Sequence, residues 1–132
     1  MKITILYLST AVIFFTLDAI GLRLLIKPVF ERHIAHLFAD PFRVGPALVF
    51  YMGYIVGLLW FVSVPALRAG DPTAALIGGV ALGLLAYGTY EFTNYATLRD
   101  WSLQQVAVDM IWGGVLTGFS AWSGVMITRA LA

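Results

Sequence analysis

Four stretches of this chain are apolar over the length that a bilayer demands, and that length decides what the chain can fold into. They run at about 3–26, 46–67, 73–98 and 105–131 of 132 residues. Crossing the hydrocarbon core takes about 20 helical residues, since each advances about 1.5 Å. Within lipid every backbone N–H and C=O must be paired by the protein itself, so only helices and closed barrels cross. A barrel strand alternates apolar and polar residues with period 2, and none of the four stretches does. The sequence therefore predicts an all-α, integral membrane four-helix up-down bundle, a single transmembrane domain over residues 1–132. Composition agrees, because only 11% of residues are charged where a soluble domain carries about 25%.

The connections are short except for the first. Residues 27–45 hold Pro28, Glu31, Arg32, His33, His36, Asp40, Pro41 and Arg43. Their middle, 29–38, mixes charged and apolar positions as a short interfacial helix does. Residues 68–72 form a tight turn, with Pro72 placed to start the next helix. Residues 99–102 form another, with Trp101 suited to the interfacial aromatic belt. At the N-terminus a single Lys2 precedes an apolar run too long for a signal peptide, interrupted by Asp18 and lacking a small-residue cleavage pattern. It is read as a retained first span.

Several function classes fall away. A net charge of +1 without a basic run gives nucleic acid no footprint. The absence of cysteine removes disulfides, thiolate metal sites and cysteine nucleophiles. Ser9, Ser63, Ser120 and Ser123 lack the setting of a nucleophile elbow, and no glycine-rich phosphate loop occurs, so the sequence names no cofactor. His33 and His36, at i and i+3, could join Glu31 or Asp40 around a metal. The spacing is not diagnostic, and they are read as headgroup-facing histidines with no metal assigned.

What remains is a set of polar groups inside the apolar stretches. Tyr87, Glu91 and Asn94 share one helical face at i, i+4 and i+7. An ionisable group at a helix centre costs roughly 2.5–3.5 kcal/mol on insertion scales, so it needs a partner. Let A be the side of the membrane that holds the N-terminus and B the other. Asp18 lies past the middle of span one toward B, Glu91 and Asn94 in the last third of span three, and Asp109 in the first turns of span four. At about 1.5 Å per residue the three acids fall roughly 5–12 Å from mid-bilayer on the same side. Tyr51 and Tyr54 reach a similar depth, and Trp112 shares the face of Asp109.

Three carboxylates cannot all remain charged there without cations, so either some carry protons or Arg23, Arg43 or Arg99 reaches in. The candidate site is thus Asp18, Tyr51, Tyr54, Tyr87, Glu91, Asn94, Asp109 and Trp112, expected to bind or move a small ligand, a lipid, or a proton or cation. A polar network that merely fixes helix register is the competing reading. So are an accessory subunit of a larger membrane complex and a lipid-modifying enzyme. Each of the last three spans also carries a GxxxG, namely Gly53/Gly57, Gly79/Gly83 and Gly114/Gly118. Such grooves serve packing within the bundle, or a homodimer or membrane-protein partner.

The run from Tyr87 to Leu98, with Gly88, Thr89, Tyr90, Glu91, Thr93, Asn94, Ala96 and Thr97, followed by Trp101, Asp109, Trp112 and Gly113, resembles a known pattern. It is that of an uncharacterised family of bacterial membrane proteins, the domain of unknown function numbered 2177. Phe50, Tyr51, Tyr54 and Gly57 resemble its second-span pattern, and Asp18 its first-span aspartate. Two departures stand out, Gly21-Leu22 in place of tryptophan-leucine and Glu91 where aspartate is more usual. The resemblance implies an integral protein of the bacterial inner membrane and no particular activity. Arg23, Lys27, Arg32, Arg43 and Arg99 lie on side B against Lys2, Arg68 and Arg129 on side A. The positive-inside rule then makes B cytoplasmic and puts both termini outside.

Overall fold

The computed structural model describes all 132 residues and contains helices and turns but no strand. Four of its helices are long and apolar enough to cross a membrane. The first is a continuous rod of 36 residues, Lys2–Leu37. It comprises α1 (Lys2–Gly21), a π-helical turn (Leu22–Ile26), α2 (Lys27–Ile34) and a final 3-10 turn (Ala35–Leu37). The second joins α3 (Val44–Leu58), another π-helical turn (Leu59–Ser63) and α4 (Val64–Ala69). The third and fourth are α5 (Pro72–Thr97) and α6 (Leu103–Leu131).

Both π-helical turns have the same cause. Pro28 and Pro65 each lie two residues beyond such a turn. A proline has no N–H and its ring crowds the carbonyl four residues back, so the helix must kink, break or widen. Here it widens and continues. This corrects one expectation, since the segment at 29–38 is the prolongation of α1 through α2 and not a separate short helix. Side-chain burial holds it in line. Val29, Phe30 and Ile34 are buried with Trp101 and Val106, and the Phe30 ring meets Trp101 edge-on at 5.4 Å. His33 Nε2 lies 3.1 Å from Gln104 Oε1 and His36 Nε2 2.9 Å from Asp100 Oδ2. The two histidines thus tie the end of the rod to the α5–α6 region, His33 to the first turn of α6 and His36 to the connection before it.

The other connections follow their local chemistry. Gly70 closes α4 in the left-handed conformation, at φ 64°, which only glycine adopts without strain. Asp71 then caps α5, accepting from Ala74 N at 3.2 Å, and Pro72 begins it. Ser102 and Gln105 cap α6 reciprocally, each side chain meeting the other's backbone N–H.

α6 is the central helix. Of its most apolar 18 residues 56% are buried, against 22% in each of the other three long helices. α1 lies along it through Leu6, Thr10, Phe14, Asp18 and Gly21, all buried and spaced to share one face. α5 lies along it through glycines. A methyl added to Gly79 would come within 2.7 Å of Gly118 Cα, and one on Gly83 within 2.9 Å of Gly114 Cα. Two of the three GxxxG motifs thus pack within the chain, whereas Gly53 and Gly57 meet nothing within 4 Å. The outer surface is apolar, with Val49, Phe50, Trp60, Phe61, Ile77 and Leu85 exposed, as a lipid-facing surface requires.

Gly83→Val should therefore destabilise the bundle by about 1–3 kcal/mol or more, through overpacking between two backbones. Gly57→Val should stay within about 0.5 kcal/mol. Reversible unfolding in mixed micelles compares the two, and equal losses would contradict this packing.

Candidate functional site

The glycine contact between α5 and α6 sets the site. It brings the second half of α5 against the first half of α6, so that Tyr87 lies directly over Gly113 and Glu91 reaches Asp109. Glu91 is completely buried and Asp109 is 7% exposed. Glu91 Oε1 accepts a hydrogen bond from Trp101 Nε1 at 2.9 Å. The two carboxyl groups are neighbours across the α5–α6 contact, yet Glu91 Oε2 faces no donor. These facts are compatible, since ionised carboxylates only accept and can bond to each other only through a shared proton.

The third acid comes from α1. Asp18 is 5% exposed, and its Oδ1 accepts from Trp112 Nε1 at 3.4 Å, a long and weak bond. The Trp112 ring lies flush against Gly21, where any side chain would collide with it. Asp18 and Asp109 are near enough to interact electrostatically. Tyr51 and Tyr87 lie in the neighbourhood of both acids.

The tyrosines form an aromatic wall beside the acids. Phe14 packs on Tyr51 and Tyr54, with ring centroids 5.7 and 5.8 Å away. Tyr54 meets Tyr87 edge-on at 6.3 Å, and Tyr54 Oη is 2.9 Å from Thr117 Oγ1. Tyr87 Oη is buried without a hydrogen-bond partner. The structure thus gathers Asp18, Tyr51, Tyr54, Tyr87, Glu91, Asp109 and Trp112. Asn94 is half-buried beside Tyr90, itself a neighbour of Glu91 and Asp109.

No arginine enters the layer. The ion pairs in the chain are Lys27–Glu31 at 3.9 Å and His36–Asp100 at 2.9 Å, while Arg23, Arg43 and Arg99 are exposed. Nor do three His, Asp or Glu side chains converge as a metal centre would need.

Two participants escaped the sequence reading. Trp101, assigned to the interface, is 7% exposed and supplies the donor to Glu91. Gln105 is completely buried, its Oε1 accepting from Ser102 N at 2.8 Å and its Nε2 unpartnered. The available signal was its place four residues before Asp109, on the same face of α6.

Removal of one partner from a buried hydrogen bond costs about 1–3 kcal/mol. Trp101→Phe should therefore lower stability by that amount, and Trp112→Phe by less, since its bond is longer. Thermal unfolding of the two variants in the same detergent tests the order.

Residues 3–126 match the model of a family described as a predicted membrane protein, DUF2177. No curated protein and no solved structure matches the chain.

Proposed function

On the premise that the chain belongs to the predicted membrane protein family DUF2177, we propose that its Glu91–Asp109 pair is a proton-exchanging site within the bilayer. The observation that carries this reading is the contact of two buried carboxyls with no cation beside them. Such a pair is stable in a low-dielectric layer when it holds a proton. Glu91 is fully enclosed, which suits a proton or a bare cation better than a metabolite or a lipid. Of these a proton asks least of the site, since two carboxyls suffice to share one.

Each neighbour has a part in this scheme. Trp101 fixes one oxygen of Glu91, leaving the other to share the proton. Asp18, steadied by Trp112, is the next acceptor. A lock that served only to fix helix register would have its hydrogen bonds closed, whereas Tyr87 Oη and Gln105 Nε2 have no protein partner. With side B cytoplasmic, by the excess of Arg23, Lys27, Arg32, Arg43 and Arg99, the pair lies toward the cytoplasmic leaflet of a bacterial inner membrane.

A second reading concerns assembly. Gly53 and Gly57 leave a groove on α3 that no part of the chain fills, and a second copy or another membrane protein would pack there. Gly57→Leu should then abolish any dimer or co-purifying partner seen in mild detergent, with the isolated chain still folded.

Infrared difference spectroscopy of the protein in nanodiscs, stepped through pH, tests the leading proposal. Wild type should show a carboxylic C=O band that changes with pH, and Glu91→Gln or Asp109→Asn should remove it. A carboxyl spectrum indifferent to pH in wild type would make the pair a static element of the fold.

A further inference from the structure

Five buried residues, Leu6, Thr10, Phe14, Asp18 and Gly21, mark the face that α1 turns toward α6. At about 100° of rotation per residue, Ala19, Ile20, Arg23 and Leu24 fall on the opposite face. All four are exposed, and together they line a groove of 440 Å³. The groove therefore opens toward lipid, and one of its walls is a cation.

That cation lies within an apolar stretch. Arg23 stands between Leu22 and Leu24, about 13 Å from mid-bilayer toward side B when residues are counted from the middle of span one. The hydrocarbon ends at about 15 Å. A guanidinium at that depth needs an anion, and the protein supplies none. The ion pairs of the chain are Lys27–Glu31 and His36–Asp100. Asp18 belongs to the buried face of α1, and Glu91 and Asp109 are enclosed. The remaining anion at this depth is the phosphate of a lipid.

The direction of the side chain favours the same partner. Helical side chains lean toward the helix N-terminus, over the residues three and four positions back. For Arg23 these are Ile20 and Ala19, the other walls of the groove. An acyl chain gains contact along Ala19, Ile20 and Leu24, whereas a free phosphate gains nothing from them. The exposed residues that follow add Lys27 and Arg32 against Glu31 alone. This excess of positive charge favours an anionic headgroup over a zwitterionic one.

We infer that the groove beside Arg23 binds an anionic phospholipid of the side-B leaflet. Its phosphate meets the Arg23 guanidinium, whose paired N–H donors match phosphate oxygens. Its acyl chain follows Ala19, Ile20 and Leu24, and Lys27, one turn nearer the membrane surface, adds a second positive charge beside the headgroup. The site is separate from the acid pair and does not depend on proton exchange there.

Native mass spectrometry of the full chain in detergent, titrated with phosphatidylglycerol, tests this. Wild type should bind one phosphatidylglycerol more tightly than phosphatidylethanolamine with the same acyl chains. Arg23→Gln should weaken phosphatidylglycerol binding about fivefold. Arg43→Gln, which removes the same charge on the same side, should bind as wild type does. Ala19→Phe should also weaken binding, because it fills the groove without altering charge, and it carries the test if Arg23→Gln does not fold. Undiminished binding in Arg23→Gln would overturn the inference. Equal losses in Arg23→Gln and Arg43→Gln would do so too, by reducing the effect to general attraction, as would equal affinity for the two lipids. Displacement of the lipid by millimolar inorganic phosphate would make the groove a site for free phosphate and overturn the lipid assignment.

Discussion

Two backbones in direct contact set the arrangement of everything polar in this protein. Where Gly79 and Gly83 of α5 meet Gly113, Gly114 and Gly118 of α6, no side chain separates the helices. Apolar side chains gain nothing by leaving lipid for a protein interior, so association relies on packing and hydrogen bonds. Glycines supply the packing term by letting main-chain atoms approach. The approach then fixes register, because Tyr87 can lie over α6 only where Gly113 leaves room. One turn further along α5, Glu91 is delivered to Asp109. A register shifted by a turn would set Glu91 opposite Gly113 or Gln105 and part it from Asp109. The glycines and the acids thus specify the same alignment.

The acid layer also explains why the cations stay outside. An arginine drawn in to meet three carboxyls would itself have to leave water, and a buried ion pair often fails to recover that loss. Neutral donors avoid it. Trp101 and Trp112 each offer one N–H on a large apolar ring, which packs as a hydrophobic group while serving an acid. The arginines are then free to remain at the ends of the helices, where the positive-inside rule acts on them.

Much of this was legible in the sequence because hydrocarbon admits so few structures. Length and apolarity alone identified four helices, although the first runs on to Leu37, well past the expected end at 26. The shared depth of Asp18, Glu91 and Asp109 followed from counting residues along antiparallel helices. What depth could not give was direction around each helix. All three GxxxG motifs look alike although only two are filled. Trp101 was misplaced for a related reason. A tryptophan at a helix end suits the headgroup region, and only the rod packed over it shows that the indole turns inward. Gln105 is both cap and core, and its capping role is legible only once Ser102 is known to begin the helix.

The continuation of α1 past Pro28 then acquires a purpose. Had the proline ended the helix, residues 29–38 could have drifted along the membrane surface. Because the helix widens by one π-helical turn instead, Phe30 is carried onto Trp101, while Tyr90 holds the indole from the α5 side at 5.7 Å. An indole gripped between two aromatic rings can aim its N–H at one position only. That position is Glu91 Oε1. The outer end of the rod is tied to the same region by His33 and His36, through Gln104 and Asp100. Those two contacts are exposed and contribute little individually, yet they act on the connection that carries Trp101. The orientation of the donor on the buried acid thus depends on a proline-widened helix and two aromatic contacts. A local change in any of them would be felt first at Glu91.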